Sequence, residues 1–121
     1  MIRRGVAAIV VAAALAGLSV VSASPASAGL SDCPAGALCA YVSENAGGTP
    51  GKVFGDNANL QQYYKFANAE SLYNHGNNCN VRIYYGLNWS GPSYVLDRGW
   101  WNPTLAGTVW WHHVYSNDWC V

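Results

Sequence analysis

The chain has 121 residues, with six Lys or Arg against six Asp or Glu, no formal net charge and only 10% charged residues. That balance leaves no basic stripe for nucleic acid or an anionic lipid surface. With so few charges, the surface must be covered by Asn, Ser, Gly and the polar ends of Tyr and Trp.

Arg3 and Arg4 precede an apolar run over residues 6–21, which ends in the small-residue stretch 22–28. This is the pattern of an export signal expected to be cut after Ala28, and its run of about 16 residues is shorter than the ~20 a spanning helix needs. The residues that normally surround a twin-arginine pair are missing, so the general secretion route is expected. The chain therefore reads as a signal over 1–28 and one domain over 29–121, secreted and free of the membrane after cleavage.

The expected mature part carries Lys52, Lys65, Arg82 and Arg98 against Asp32, Glu44, Asp56, Glu70, Asp97 and Asp118, a net charge of −2. A domain this small buries only ~60–65% of its unfolded surface and needs staples. Cys33, Cys39, Cys79 and Cys120 supply them: in an exported chain, four cysteines read as two disulfides with three pairings open. A zinc site is the competing reading, but Cys33 and Cys39 are too far apart for a metal knuckle and Cys120 is almost terminal.

Within the domain, Leu38, Ala40 and Val42 alternate, as do Val81, Ile83 and Tyr85, whereas no helical period is sustained. Turn signals recur at 45–51, 74–78, 86–92 and 102–107, the rhythm of short strands in a sandwich, with one helical turn expected within 59–70. The chain also resembles itself. At a shift of 43, Leu38-Cys39-Ala40-Tyr41 falls on Val81-Arg82-Ile83-Tyr84, Gly48 on Gly91, and Ala46 on Trp89. Two such units suit a pair of Greek keys sharing one core.

The run Val81-Arg82-Ile83-Tyr84-Tyr85-Gly86-Leu87-Asn88-Trp89-Ser90-Gly91 resembles the signature of a βγ-crystallin Greek key. The resemblance implies an all-β sandwich of two Greek-key motifs, in which Tyr84 and Trp89 fold over a hairpin and Gly91 takes a backbone shape that leaves room for them. The first copy, with Tyr41 and Gly48, is degenerate because Ala46 replaces the aromatic. The opening Cys33-Pro34-Ala35-Gly36-Ala37-Leu38-Cys39 is similar to that of secreted actinobacterial peptidase inhibitors with this fold, the family of the Streptomyces metalloproteinase inhibitor. On this frame Cys33 is expected to pair with Cys39 and Cys79 with Cys120, worth roughly 2 and 4 kcal/mol on the loop-entropy model.

Residues able to carry catalysis are sparse. His75, His112 and His113 accompany no recognisable nucleophile motif, and no two of Glu44, Glu70, Asp97 and Asp118 are singled out as a glycosidase pair. His112 and His113 are expected on a strand, facing opposite ways, so the pair does not chelate one ion. Calcium, bound by many microbial crystallin domains, would fall near 66–71 or at Pro103-Thr104 and Gly107-Thr108, where the oxygens are too few for a tight site. No cofactor or metal is expected, with weak calcium binding left open.

All six tryptophans lie from Trp89 onward. On a strand, one of each pair, Trp100-Trp101 and Trp110-Trp111, could fill the core and the other stay exposed. The favoured reading is that both are core or sheet-covering residues, and the alternative is a flat aromatic surface for a protein partner or a sugar. The resemblance implies a monomeric inhibitor of an extracellular peptidase, of the metalloprotease or serine class, and not an enzyme. The alternative is a killer-toxin-like or cell-wall carbohydrate-binding crystallin protein. The family's disulfide-closed reactive loop has no matching position here, because Cys79 and Cys120 enclose no short loop. The target-binding site is therefore expected in the loop 99–104, where Trp100 and Trp101 offer apolar anchors and Pro103 stiffness; the loop 45–51 is the weaker choice.

Overall fold

The computed structural model describes residues 29–121, so the export-signal reading of residues 1–28 lies outside the described residues. The first alternating run forms β1 (Leu38–Tyr41), flanked antiparallel by β2 (Gly51–Val53) and β3 (Ser71–Asn74). The second forms β4 (Val81–Gly86), flanked by β5 (Ser90–Leu96) and β7 (Ser116–Trp119). The short β6 (Trp101–Asn102) comes from the second half but pairs with β3 of the first. In return, Asn57 of the first half bridges Asn117 on β7. The sheets are thus β2-β1-β3-β6 and β5-β4-β7, and each half lends a segment to the other. This is the all-β, two-Greek-key sandwich that the repeat implied.

Leu38, Ala40 and Leu72 from one sheet meet Val81, Ile83 and Leu96 from the other, sealed by Leu60, Leu105, Val114 and Phe66. Phe66 is carried by a single helical turn, α1 (Tyr64–Ala67), inside the stretch where one was expected. A second cluster lies on the opposite face of β1. Cys33, Ala37, Cys39, Tyr41 and Ala46 are buried there, with Leu30, Tyr73 and Trp101 packed against them.

The second cluster changes how the alternation is read. All four residues of β1 are buried, because the segment before Cys33 covers the face that a half-exposed strand would show to water. The Tyr41 hydroxyl donates to the Gly29 carbonyl at 2.7 Å, and a Cβ on Gly29 would fall 1.6 Å from the Ala46 carbonyl oxygen. Burial, with lesser contributions from Tyr73 and Asp32, pushes the Tyr41 pKa up to about 12.

The two hairpin turns share their backbone φ angles at three positions related by the shift of 43. Asn45 and Ala46 have φ of 59° and 56°, Asn88 and Trp89 have 56° and 55°, and Gly48 and Gly91 both have 79°. A serine locks each from the far strand. Ser71 Oγ accepts from Ala46 N at 3.0 Å and donates to Ser43 O at 2.7 Å; Ser116 Oγ accepts from Trp89 N at 3.0 Å and donates to Gly86 O at 2.6 Å. The glycines are required by backbone angle and not by space: a Cβ at Gly48 would meet nothing within 4 Å, and one at Gly91 only ordinary contacts from 3.5 Å outward. That corrects the expectation that rings crowd the position.

Two further expectations are corrected by the chain's path. Residues 99–104 are not a free loop, since β6 seats Trp101 and Asn102 against Tyr73 and Leu72. Trp110, Trp111 and His112 lie in a turn and His113 in the irregular segment after it, none of them on a strand, because the chain must cross from the first sheet back to β7 there. Both tryptophans of that pair pack against the main core while partly buried, in keeping with the reading of both as core or sheet-covering residues.

Candidate functional site

Where the sequence placed the target-binding residues, the structure separates them. Trp100 is 67% exposed, while Trp101 packs into the second cluster beside Tyr73 and is not a free anchor. Pro103 is exposed, and its carbonyl accepts from Asn45 N at 2.8 Å. Glu44 and Thr104 meet through a 2.6 Å hydrogen bond. The two loops weighed as rivals, 45–51 and 99–104, are therefore two sides of one rim. Trp100 itself has its backbone spent inside that rim, with N–H bonded to Asp97 O at 3.0 Å and C=O bonded to Asn74 N at 3.0 Å.

The histidines are engaged in structure. His75 Nδ1 contacts the Cys33 carbonyl at 2.7 Å. His112 pairs with Glu70 at 2.8 Å and stacks on Trp111. His113 lies between the rings of Tyr85 and Tyr115, both 3.7 Å away, with Nδ1 2.8 Å from the Tyr85 carbonyl. In the stretches weighed for calcium, Glu70 is held by His112, Ser71 by the hairpin, Thr104 by Glu44, and Thr108 Oγ1 by the Leu105 carbonyl at 2.6 Å. Each of these side chains thus takes part in a hydrogen bond of the fold.

A different surface gathers exposure, rigidity and a cleft. After β2 the chain runs through Phe54, Gly55, Asp56 and Asn57 to reach the second sheet. The Gly55 carbonyl is the focus of three donors: Asn57 Nδ2 at 2.9 Å, Asn117 Nδ2 at 3.2 Å and Trp119 Nε1 at 2.9 Å. Asn57 Nδ2 also reaches the Phe54 carbonyl at 3.3 Å and Asn117 Oδ1 at 3.1 Å, and Asp56 Oδ1 accepts from Trp119 N at 2.8 Å. Buried Asn117 is thus a polar core residue whose hydrogen-bonding capacity holds the loop. Phe54 is left 58% exposed at its tip.

Beside this loop opens a cleft of about 340 Å³, lined by Gly36, Gly55, Asp56, Gly76, Asn77, Asn78 and Trp119, with Cys79 and Cys120 at its edge. Cys33 is bonded to Cys39 and Cys79 to Cys120; the second disulfide lines the cleft, and the loop closed by the first lends it Gly36. The small disulfide loop is docked on the end of β3 by Gly36 N to His75 O at 2.7 Å and His75 N to Ala37 O at 3.0 Å. Gly76 has no space for a side chain, because its Cβ would sit 2.5 Å from the Trp119 ring. The sequence reading did not mark 54–57, although Gly55-Asp56-Asn57 directly after a strand is a turn signal. Its bracing was not visible there, since the donors come from some 60 residues away.

This arrangement of two interlocked Greek keys defines a βγ-crystallin-type domain. Solved structures agree: one bearing on the evolution of the eye-lens βγ-crystallin domain fold has a TM-score of 0.64 at 18% identity, covering 87% of this chain and 94% of that one. IPSE alpha-1, an IgE-binding crystallin, follows at 0.59 and 15%, covering 74% and 86%, and a βγ-crystallin from Ciona intestinalis at 0.54 and 17%, covering 69% and 98%. Within that fold the chain has a specific affiliation. The model of peptidase inhibitor family I36 matches residues 26–96, and the protein belongs to this family. No individual curated protein matches it.

Proposed function

We propose that the protein is a secreted, monomeric inhibitor of extracellular peptidases of the thermolysin-like metalloprotease or subtilisin-like serine class. The observation that carries the reading is the family match over residues 26–96. The physical form of the domain supports it. An inhibitor does no chemistry of its own; it must present a segment that is already ordered, so that little entropy is lost on docking, and that does not relax once bound. Two disulfides, a two-sided core and side-chain-braced loops meet that requirement. The IgE-binding crystallin illustrates that a domain of this fold can present a protein-binding surface.

The test is direct. Micromolar protein spanning residues 29–121 is mixed with a panel of thermolysin-like and subtilisin-like peptidases, and residual hydrolysis of a peptide substrate is followed. Saturable inhibition of at least one member with one-to-one stoichiometry is expected. Full activity of every member at that concentration refutes the reading.

A further inference from the structure

We infer that the peptidase-contacting surface is the braced loop 54–57 together with the adjoining Trp119 cleft, with Phe54 as the side chain that enters the enzyme's main apolar subsite. The inference rests on the inhibitor reading and gives it a site.

Three observations select this face over the Trp100 rim. The first is the way the main chain is held. Asn57, within the loop, donates to the Phe54 and Gly55 carbonyls, and Asn117 and Trp119 of β7 add two donors to the Gly55 carbonyl, so the loop is fixed by side chains before any partner arrives. The main chain at Trp100 is held by backbone bonds to Asp97 and Asn74, whereas the Gly55 carbonyl is fixed by side chains of β7.

The second is shape. Phe54 is 58% exposed with its ring beside Gly36, an aromatic anchor of the kind that dominates protein interfaces when it fills a pocket. Next to it, the cleft walls of Gly36, Gly55 and Gly76 carry no side chains and admit close approach of the enzyme's own rim, with Asn77, Asn78 and Asp56 to meet its backbone polar groups.

The third is persistence. The Cys79–Cys120 disulfide lines the cleft, the loop closed by Cys33–Cys39 lends it Gly36, and residues 54–57 are bonded to β7 through Asn117 and Trp119. Nicking of the loop by the target would leave the two ends held in place.

Phe54 then sets the specificity, and the target is a peptidase that accepts a large apolar side chain. The test compares Phe54→Ala, Phe54→Arg and Trp100→Ala with the unmodified chain against the inhibited members of the panel and against a trypsin-like peptidase. Phe54→Ala is expected to weaken inhibition by about 30-fold or more, the loss of one hot-spot residue, with unchanged melting temperature. Phe54→Arg is expected to lose the original target and gain the trypsin-like one, and Trp100→Ala to stay within about threefold.

Amide hydrogen exchange on the complex of the unmodified chain, which needs no variant to fold, is expected to show new protection at 54–57 and not at 99–104. Inhibition lost in Trp100→Ala and kept in Phe54→Ala, or protection confined to 99–104, overturns the placement while the inhibitor reading stands. If the unmodified chain inhibits no peptidase at all, both fall.

Discussion

The first and second hairpins share one backbone and opposite surroundings. Residues 45–46 and 88–89 adopt the same left-handed pair, followed by glycines at the same φ of 79°, and each is locked by a serine from the last strand of its unit. Yet position 46 holds a fully buried alanine, and the matching position 89 a tryptophan that is 44% exposed. The difference is the segment at Gly29 to Cys33. It lies on the first hairpin so closely that even a Cβ at residue 29 would collide with the Ala46 carbonyl, whereas at the second hairpin the Trp89 ring itself lies over the chain, its Nε1 reaching the Asn117 carbonyl at 2.9 Å. The first motif is degenerate in sequence because a piece of its own chain occupies the place of the aromatic.

Exchanging the two residues tests that explanation most severely. Ala46→Trp is expected to destabilise the domain by about 3 kcal/mol or more, by expelling the 29–33 segment and opening the second cluster. Trp89→Ala is expected to lose about 1 kcal/mol, one indole hydrogen bond and a half-exposed ring. Urea unfolding of both variants measures the contrast, and equal losses would break it.

Alkali sharpens it next. Tyr41, under the covering segment, holds its proton to about pH 12, against about 10 in the unfolded chain. A raised acid pKa gives stability that is complete below the unfolded value and is lost as pH rises from about 10 to about 12, here up to about 2–3 kcal/mol. Tyr84 of the second hairpin is also raised, first by burial and then by Asp118, so it adds in the same direction. Denaturant titrations across that range, with Tyr41→Phe expected to show a shallower loss, separate the two.

The serine locks come third. Ser71→Ala strands the buried Ala46 N–H and is expected to cost about 2 kcal/mol, whereas Ser116→Ala strands a partly exposed Trp89 N–H and is expected to cost about 1 kcal/mol. The smallest contrast between the hairpins is expected at the glycines. With space for a side chain at both, Gly48→Ala and Gly91→Ala should each lose only the left-handed backbone penalty of about 1–2 kcal/mol, and by the same amount. A clearly larger loss at Gly91, seen in melting temperature, would mean that its neighbours cannot yield to a Cβ.

Local chemistry determined a good part of this protein before any coordinates. Alternation at Leu38 and Val81 placed β1 and β4, and the match of Tyr41 and Gly48 with Tyr84 and Gly91 fixed two equivalent hairpins. These follow from neighbouring residues, whose backbone and side-chain preferences act over a few positions.

What the tertiary structure alone decided is which surfaces are covered and which loops are held. Burial of all of β1 depends on a segment docking on its outer face; β6 exists only because Trp101 meets Tyr73 across the sheet; and the rigidity of 54–57 comes from Asn117 and Trp119, distant in sequence and brought near by the exchange of strands between sheets. Such contacts leave no periodic trace, because the chain length between partners carries no preference for either. The aromatic content pointed to Trp100 and Trp101 as the binding anchors. Three-dimensional packing took Trp101 into a core and left Phe54, a lone aromatic before Gly55, on the more strongly braced surface.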